Sequence, residues 1–261
     1  MGHATEFDWA AARIARVTMT RAAEMNTLSH ELLDELDAAL ARAAVDGARA
    51  LIITGRGRAF CCGAHLKYFD GSGHGPDHRF DVRDGYLAKI AALFDRIESL
   101  PLPVIAAING YALGGGFELA LACDLRVMSK TARIGLPEVK LGATPGAGGV
   151  QKLHKFCGRG KAFEWILLAR QIDWQQAERA GLLCDATEPD ALMARALDLA
   201  EELCRYSPRA LAQCKASIHL AGDVDQRSAM RFGIEALAAL VDSNDWREGM
   251  SAFKDKRAPK F

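Results

Sequence analysis

The sequence has no charge bias. Lysine and arginine number 33 against 33 aspartates and glutamates. Apart from local patches, that balance gives a nucleic acid or an anionic membrane surface nothing to hold. The N-terminal stretch MGHATEFDWAAARIARV lacks an apolar core of signal-peptide length, and no later run is apolar enough to span a bilayer. A cytoplasmic protein with no membrane or nucleic-acid partner is therefore expected. The seven cysteines form an odd set, which suits reduced thiols better than a disulfide framework. Cys61, Cys62 and His65 lie close together, yet no second ligand pair follows at a useful spacing, so no metal is expected. Two nucleotide-binding signatures are also incomplete. GRGRAF, from Gly55, has Phe60 where a dinucleotide fingerprint needs its third glycine, and GRGKA, from Gly158, lacks the first glycine and the hydroxyl residue of a phosphate loop.

What the chain does contain is concentrated in one stretch, PVIAAINGYALGGGFELALACD, from Pro103 to Asp124. Val104 to Ile108 is a continuous apolar run, long enough for a buried strand and too short for a helix. Gly114, Gly115 and Gly116 follow, and Phe117 to Cys123 has the composition of a helix. A strand entering a helix through glycines leaves unpaired N–H groups at the helix start, where a ligand can approach the backbone closely. Glu118 lies in the first helical turn beside them, so the stretch has the build of an anion-stabilising site with an acid or base attached. Alone, the triplet is equally well explained by tight strand–helix packing.

The chain is 261 residues long, near the upper end for a single hydrophobic core. Its 50% hydrophobic content is ordinary for a soluble globular protein. Residues 13–20 alternate as a half-buried strand, pairing with the preceding TEFDWA. Leu28, Leu32, Leu33, Leu36 and Leu40 mark an amphipathic helix reaching about Val45. Short strands are expected at 51–53 and 59–62. A loop at 70–77, a plausible place for substrate access or a plain linker, leads into a helix from about His78 to Ser99. Two more strands, at 125–128 and 132–134, precede LPEVKLGATPGAGG, which brings a second carboxylate, Glu138, and a second glycine turn. Strand pairs followed by helices, repeated about three times, predict an α/β arrangement. From Asp190 the pattern is helical, with Ser207 and Pro208 as N-cap and first helical residue.

With both glycine turns and both glutamates in view, the sequence closely resembles the crotonase superfamily, and within it the enoyl-CoA hydratases. The likeness rests on 103–125 and on LPEVKLGATPGAGGVQKL at 136–153. It rests also on AFCCGAHLK at 59–67, NTLSHELLDEL at 26–36 and the closing WREGMSAFKDKRAPKF. The resemblance implies an α/β crotonase-like spiral of ββα repeats over residues 1–195, carrying a coenzyme A thioester site. A C-terminal helical trimerisation region over 196–261 would follow, giving a homotrimer or a homohexamer built as a dimer of trimers. It implies hydration of a 2-enoyl-CoA to a 3-hydroxyacyl-CoA, in fatty-acid metabolism or a related breakdown route, with no cofactor beyond the CoA of the substrate.

Matched by motif, the oxyanion hole would be the backbone amides of Ala64 and Gly115. Glu118 would take a proton from the attacking water, Glu138 would protonate the α-carbon, and the amide of Gly146 would help position the water. His65, Leu66, Lys67 and Phe117 are the substrate-binding candidates. Lys67 and Lys260 are also candidates for the CoA phosphates, though each reads equally as a solvated surface lysine. Three positions depart from the family pattern. His65 replaces the usual acid of the GAD motif and is either a modifier of the site or a structural histidine. Phe117 is bulkier than usual and belongs either to the core or to the acyl pocket. LLARQI at 167–172 lacks a customary glycine. The competing expectations are an enoyl-CoA isomerase on the same fold and, more remotely, an RNA-binding crotonase-fold protein, which the charge balance disfavours.

Overall fold

The computed structural model describes residues 2–71 and 77–261. Residues 72–76, the centre of the loop expected at 70–77, lie outside the described residues. The chain opens with β1 (Thr5–Ala11) and β2 (Ile14–Met19), an antiparallel pair, and α1 (His30–Val45), whose N-terminus is capped by the Ser29 side chain. β3 (Ala50–Gly55) and β4 (Ala59–Cys61) follow. The helical run expected from His78 to Ser99 is present but composite. A short α2 (His78–Phe80) leads into a π-helical segment, Asp81–Leu87, and then α3 (Ala88–Ser99).

β5 (Val104–Ile108), β6 (Tyr111–Leu113) and α4 (Gly115–Ala122) form the central stretch. β7 (Leu125–Ser129) and β8 (Arg133–Gly135) precede α5 (Gly149–Leu167), which is interrupted at Gly158. α6 (Trp174–Arg179) and β9 (Asp185–Thr187) lead to α7 (Leu192–Leu203). α8 (Pro208–Ala221), α9 (Gln226–Ala238) and α10 (Asn244–Lys254) complete the chain.

The topology explains why strands come in pairs. In the pairs β3–β4, β5–β6 and β7–β8 the first strand joins a six-stranded sheet of order β1-β2-β3-β5-β7-β9, and the second joins a three-stranded sheet of order β4-β6-β8. Beyond the β1–β2 pair all neighbours are parallel. Each turn of chain therefore stacks on the previous one, Leu51 beside Val104 in the large sheet and Ala59 beside Tyr111 in the small one. Strands buried on both faces need apolar residues throughout. Leu51 and Ile53 face a large core with Leu36, Leu40 and Phe94, while Ile52 and Ile105 face a second core closed by Leu192, Ala196 and Ala200 of α7.

Two features bear on the expected layout. α7 spans the boundary expected at 195/196 and packs on the large sheet through Ala196 and Ala200. The short strands β6 and β9 were not expected; each has three residues, too few to show a period.

α4 is held firmly at its far end. The buried Arg126 guanidinium donates to the carbonyls of Ala120 and Cys123 at 3.2 and 2.5 Å, satisfying acceptors that a helix C-terminus leaves open. Lys215 of α8, also buried, bonds Asp124 at 2.8 Å and the carbonyls of Ile97 and Leu102 at 2.8 and 3.1 Å.

Candidate active site

The site begins where the chain after β4 lies against the N-terminus of α4. Gly114 has φ 54° and ψ −129°, a conformation suited to glycine. Helix α4 starts immediately after it, within the glycine triplet and two residues earlier than composition suggested. Contact with β4 sets that start: a Cβ on Gly116 would sit 1.9 Å from the carbonyl oxygen of Cys61. A Cβ on Gly63 would lie 2.9 Å from the Gly115 nitrogen, and one on Gly115 would lie 3.4 Å from the Ala64 nitrogen. The Ala64 and Gly115 amides are thus neighbours. Among the described residues neither donates to an acceptor within the chain. Two adjacent unpaired donors at a helix start form a ready cradle for a developing oxyanion.

The two carboxylates reach the same place from different turns. Glu118 is 3% exposed, and its Oε1 accepts the amides of Ala147 and Gly149 at 2.9 and 2.8 Å. Burial raises its pKa, while those two amides and the charge of Lys152 oppose the rise. Glu138 opens a 3-10 turn after β8. Its Oε2 is buried without a hydrogen-bond partner. A Cβ on Gly114 would stand only 2.9 Å from its Oε1, so this carboxyl lies directly beside the glycine triplet. Burial first, and the Glu118 charge as well, push Glu138 up to about 7.

The other expected residues divide by place. Gly146 is exposed, and its neighbours Ala147 and Gly149 make the contacts to Glu118. The Leu87 side chain comes within 4.0 Å of where a Gly146 Cβ would be. His65 caps a short turn, its Nδ1 accepting the Lys67 amide at 3.4 Å, and its Nε2 stands 3.9 Å from Glu24. Leu66 is 61% exposed. The Lys67 ammonium lies 4.9 Å from the centre of the Tyr68 ring. Phe117, open between core and acyl pocket on sequence, has no exposed surface and packs in the large core.

Sequence reasoning missed Tyr86, which is buried beside Ala64 and hydrogen-bonds its loop. It also missed the Ala147 and Gly149 amides, although the PGAGG turn that carries them was visible. Among the described residues, no group of three or more His, Cys, Asp or Glu could hold a metal ion, and no helix is long and apolar enough to cross a membrane.

Comparison with known proteins points the same way. Residues 10–261 match the model of the enoyl-CoA hydratase/isomerase family. A probable enoyl-CoA hydratase of Rhizobium meliloti is 36% identical over 250 residues, covering 95% of this chain and 94% of the relative. The 2,3-dehydroadipyl-CoA hydratase of Escherichia coli is also 36% identical, over 95% of each chain. The crystal structure of an enoyl-CoA hydratase from Bacillus anthracis superposes with a TM-score of 0.91 at 36% identity, covering 99% of this chain and 98% of that one. In sequence, topology and the placing of two glycine turns against two carboxylates, the chain belongs to the enoyl-CoA hydratase/isomerase family of the crotonase superfamily.

Proposed function

We propose that the protein is an enoyl-CoA hydratase, adding water across the 2,3-double bond of a 2-enoyl-CoA to give a 3-hydroxyacyl-CoA. The carrying observation is the unequal treatment of two carboxylates in one site, one buried and one partly buried. Glu118 receives two backbone N–H bonds, which favour its ionised form. Glu138 keeps a buried oxygen with no donor, which favours the protonated form. A base and an acid poised side by side are what addition of H and OH requires.

In this reading the thioester oxygen lies between the amides of Ala64 and Gly115. Glu118 removes a proton from water as the water oxygen bonds to C3. The C2=C3 electrons move toward the thioester, giving an enolate whose charge rests on the oxygen facing the two amides. One such donor is typically worth about 3–4 kcal/mol of barrier. Glu138 then delivers its proton to C2, leaving a neutral product with both carboxyls exchanged in protonation state. Proton exchange with solvent resets the pair. The steps are addition of the water oxygen and two proton transfers, with no net oxidation or reduction, so the reading calls on no separate cofactor.

The same proposal includes self-association, supported by apolar side chains exposed along the tail: Met230, Ile234 and Leu237 of α9, Met250 and Phe253 of α10. Light scattering would distinguish a trimer or hexamer from a monomer. Seven unpaired cysteines support a reducing, cytoplasmic setting.

Mass spectrometry of the purified protein with a panel of 2-enoyl-CoA esters, from crotonyl to long-chain and aromatic, tests the reaction. Gain of one water on any ester is the expected result, and the ranking reports the acyl pocket. Conversion of 3-enoyl to 2-enoyl esters without hydration would replace this reading with an isomerase.

A further inference from the structure

Ala64 cannot be held in place by its own side chain, so its neighbours must fix the direction of its amide. On one side, the Leu28 amide donates to the Gly63 carbonyl at 2.8 Å. On the other, the His65 amide donates to the Tyr86 hydroxyl at 2.8 Å, and that hydroxyl donates onward to the Leu28 carbonyl at 2.5 Å. Leu28 and Ala64 form an isolated parallel bridge. The Tyr86 hydroxyl thus ties together the residues on which that bridge depends, spanning 58 positions of chain to Leu28.

We propose that Tyr86 is a positioning residue for the reaction: its hydroxyl, inserted between the His65 amide and the Leu28 carbonyl, aims the Ala64 amide at the thioester oxygen. The inference rests on the oxyanion-hole reading given above. Tyr86 is suited to the task because its ring is fixed from several sides. His30, Tyr68 and Phe69 pack against it at centroid separations of 5.3, 4.6 and 5.7 Å. Only 2% of the residue is exposed. Burial pushes its phenol pKa well up, so it stays a neutral donor at physiological pH.

The backbone that presents Tyr86 is the π-helical segment Asp81–Leu87, a geometry that alters side-chain direction relative to a regular helix. The next residue, Leu87, reaches toward Gly146 on the opposite side of the site. One π turn therefore touches both the oxyanion loop and the loop carrying the Glu118 donors. An oxyanion donor acts only if it already points at the oxygen, so loosening the Ala64 loop would cost transition-state stabilisation more than ground-state binding.

Infrared difference spectroscopy of a bound 2-enoyl-CoA labelled at the thioester carbonyl tests this directly, alongside kinetics. In the wild-type protein the carbonyl stretch should fall on binding, reporting polarisation by the two amides. In Tyr86→Phe, which keeps the ring contacts, the band should return toward its position in water. kcat should fall about ten-fold or more, while the Kd for the CoA ester changes less than about three-fold. Tyr68→Phe, which removes a neighbouring hydroxyl that accepts from the His30 amide, should leave the band at its wild-type position.

An unchanged band and kcat in Tyr86→Phe would overturn the proposal, as would an equal band shift in Tyr68→Phe. If Tyr86→Phe does not fold, 3,5-difluorotyrosine at position 86 keeps the shape and alters the strength of both hydrogen bonds. An unmoved band in that protein would overturn the proposal equally. A wild-type band that does not move on binding would overturn the oxyanion-hole reading itself, and the proposal with it.

Discussion

The amide of Gly149, at the start of α5, donates to Oε1 of Glu118 on α4 at 2.8 Å, and no side chain could be added to Gly149 without touching that oxygen. The Glu118 carboxylate is therefore oriented by backbone from the following turn of the spiral. Substituting Gly149→Ala would place a Cβ 2.9 Å from both Glu118 Oε1 and Leu136 Cδ1. The expected result is a loss of kcat larger than the loss of stability, which overpacking of this kind puts at about 1–3 kcal/mol. Steady-state kinetics compared with thermal denaturation would separate the two.

Glu118→Gln and Glu138→Gln should each lower hydration by about 10²–10⁴-fold, the usual worth of a positioned acid or base. CoA-ester binding should persist in both, because neither side chain supplies the amides of the cradle. Near-wild-type turnover in either variant would remove that residue from the mechanism. Calorimetric titration with a non-reacting acyl-CoA would check the binding half.

The pH behaviour follows from Glu138. Its carboxyl stands at about 7 in the folded chain against an ordinary value of 4.5. Between those values the folded state holds a proton that the unfolded state has released. Stability therefore falls as pH rises from about 4.5 to about 7 and is flat beyond. Glu138→Gln should remove this group's share of the slope, gaining on the order of 1 kcal/mol at pH 8 once solvent reaching the group is allowed for, and leave the share that the raised Glu118 contributes. Activity should also drop on the alkaline side of about 7, as the proton donor ionises, with the acid limb set by Glu118. The two limbs belong to the coupled pair and shift together when either residue is changed.

Phe117→Ala should damage stability and not selectivity. The side chain is wholly buried, and truncating a core phenylalanine costs about 3–5 kcal/mol. A ranking of acyl chain lengths that changes in a folded Phe117→Leu protein would show that the ring reaches the acyl group after all.

Lys215→Met removes the cation from a buried pair, leaving Asp124 with only the Val104 amide and His219, and the Ile97 and Leu102 carbonyls without their donor. A destabilisation of about 3–5 kcal/mol is expected, read by urea denaturation. The double change Lys215→Met, Asp124→Asn should recover part of it.

The architecture was legible wherever burial leaves a continuous signature in the chain. Val104 to Ile108 read as a buried strand because both of its faces are covered, and Leu32, Leu33, Leu36 and Leu40 read as a helix because one face is. The start of α4 was misplaced toward Phe117 because glycine has poor helix propensity. What decides it is the carbonyl of Cys61, which leaves no room for a Cβ at Gly116. The glutamates stood out in the sequence through their motifs, whereas Tyr86 did not. Its two hydrogen bonds join residues far apart in the sequence, and an isolated tyrosine in a helical pattern carries no sign of them.

The stacking of turns has a consequence for how the protein becomes active. Ala64 comes from the first turn of the spiral, Gly115 and Glu118 from the second, and Glu138 with the Ala147 and Gly149 amides from the third. During synthesis Ala64 and Gly115 therefore leave the ribosome before Glu138 does. A chain halted after the second turn would lack Glu138 and both amides that hold Glu118, so the full set of site residues is present only once the third turn has been added.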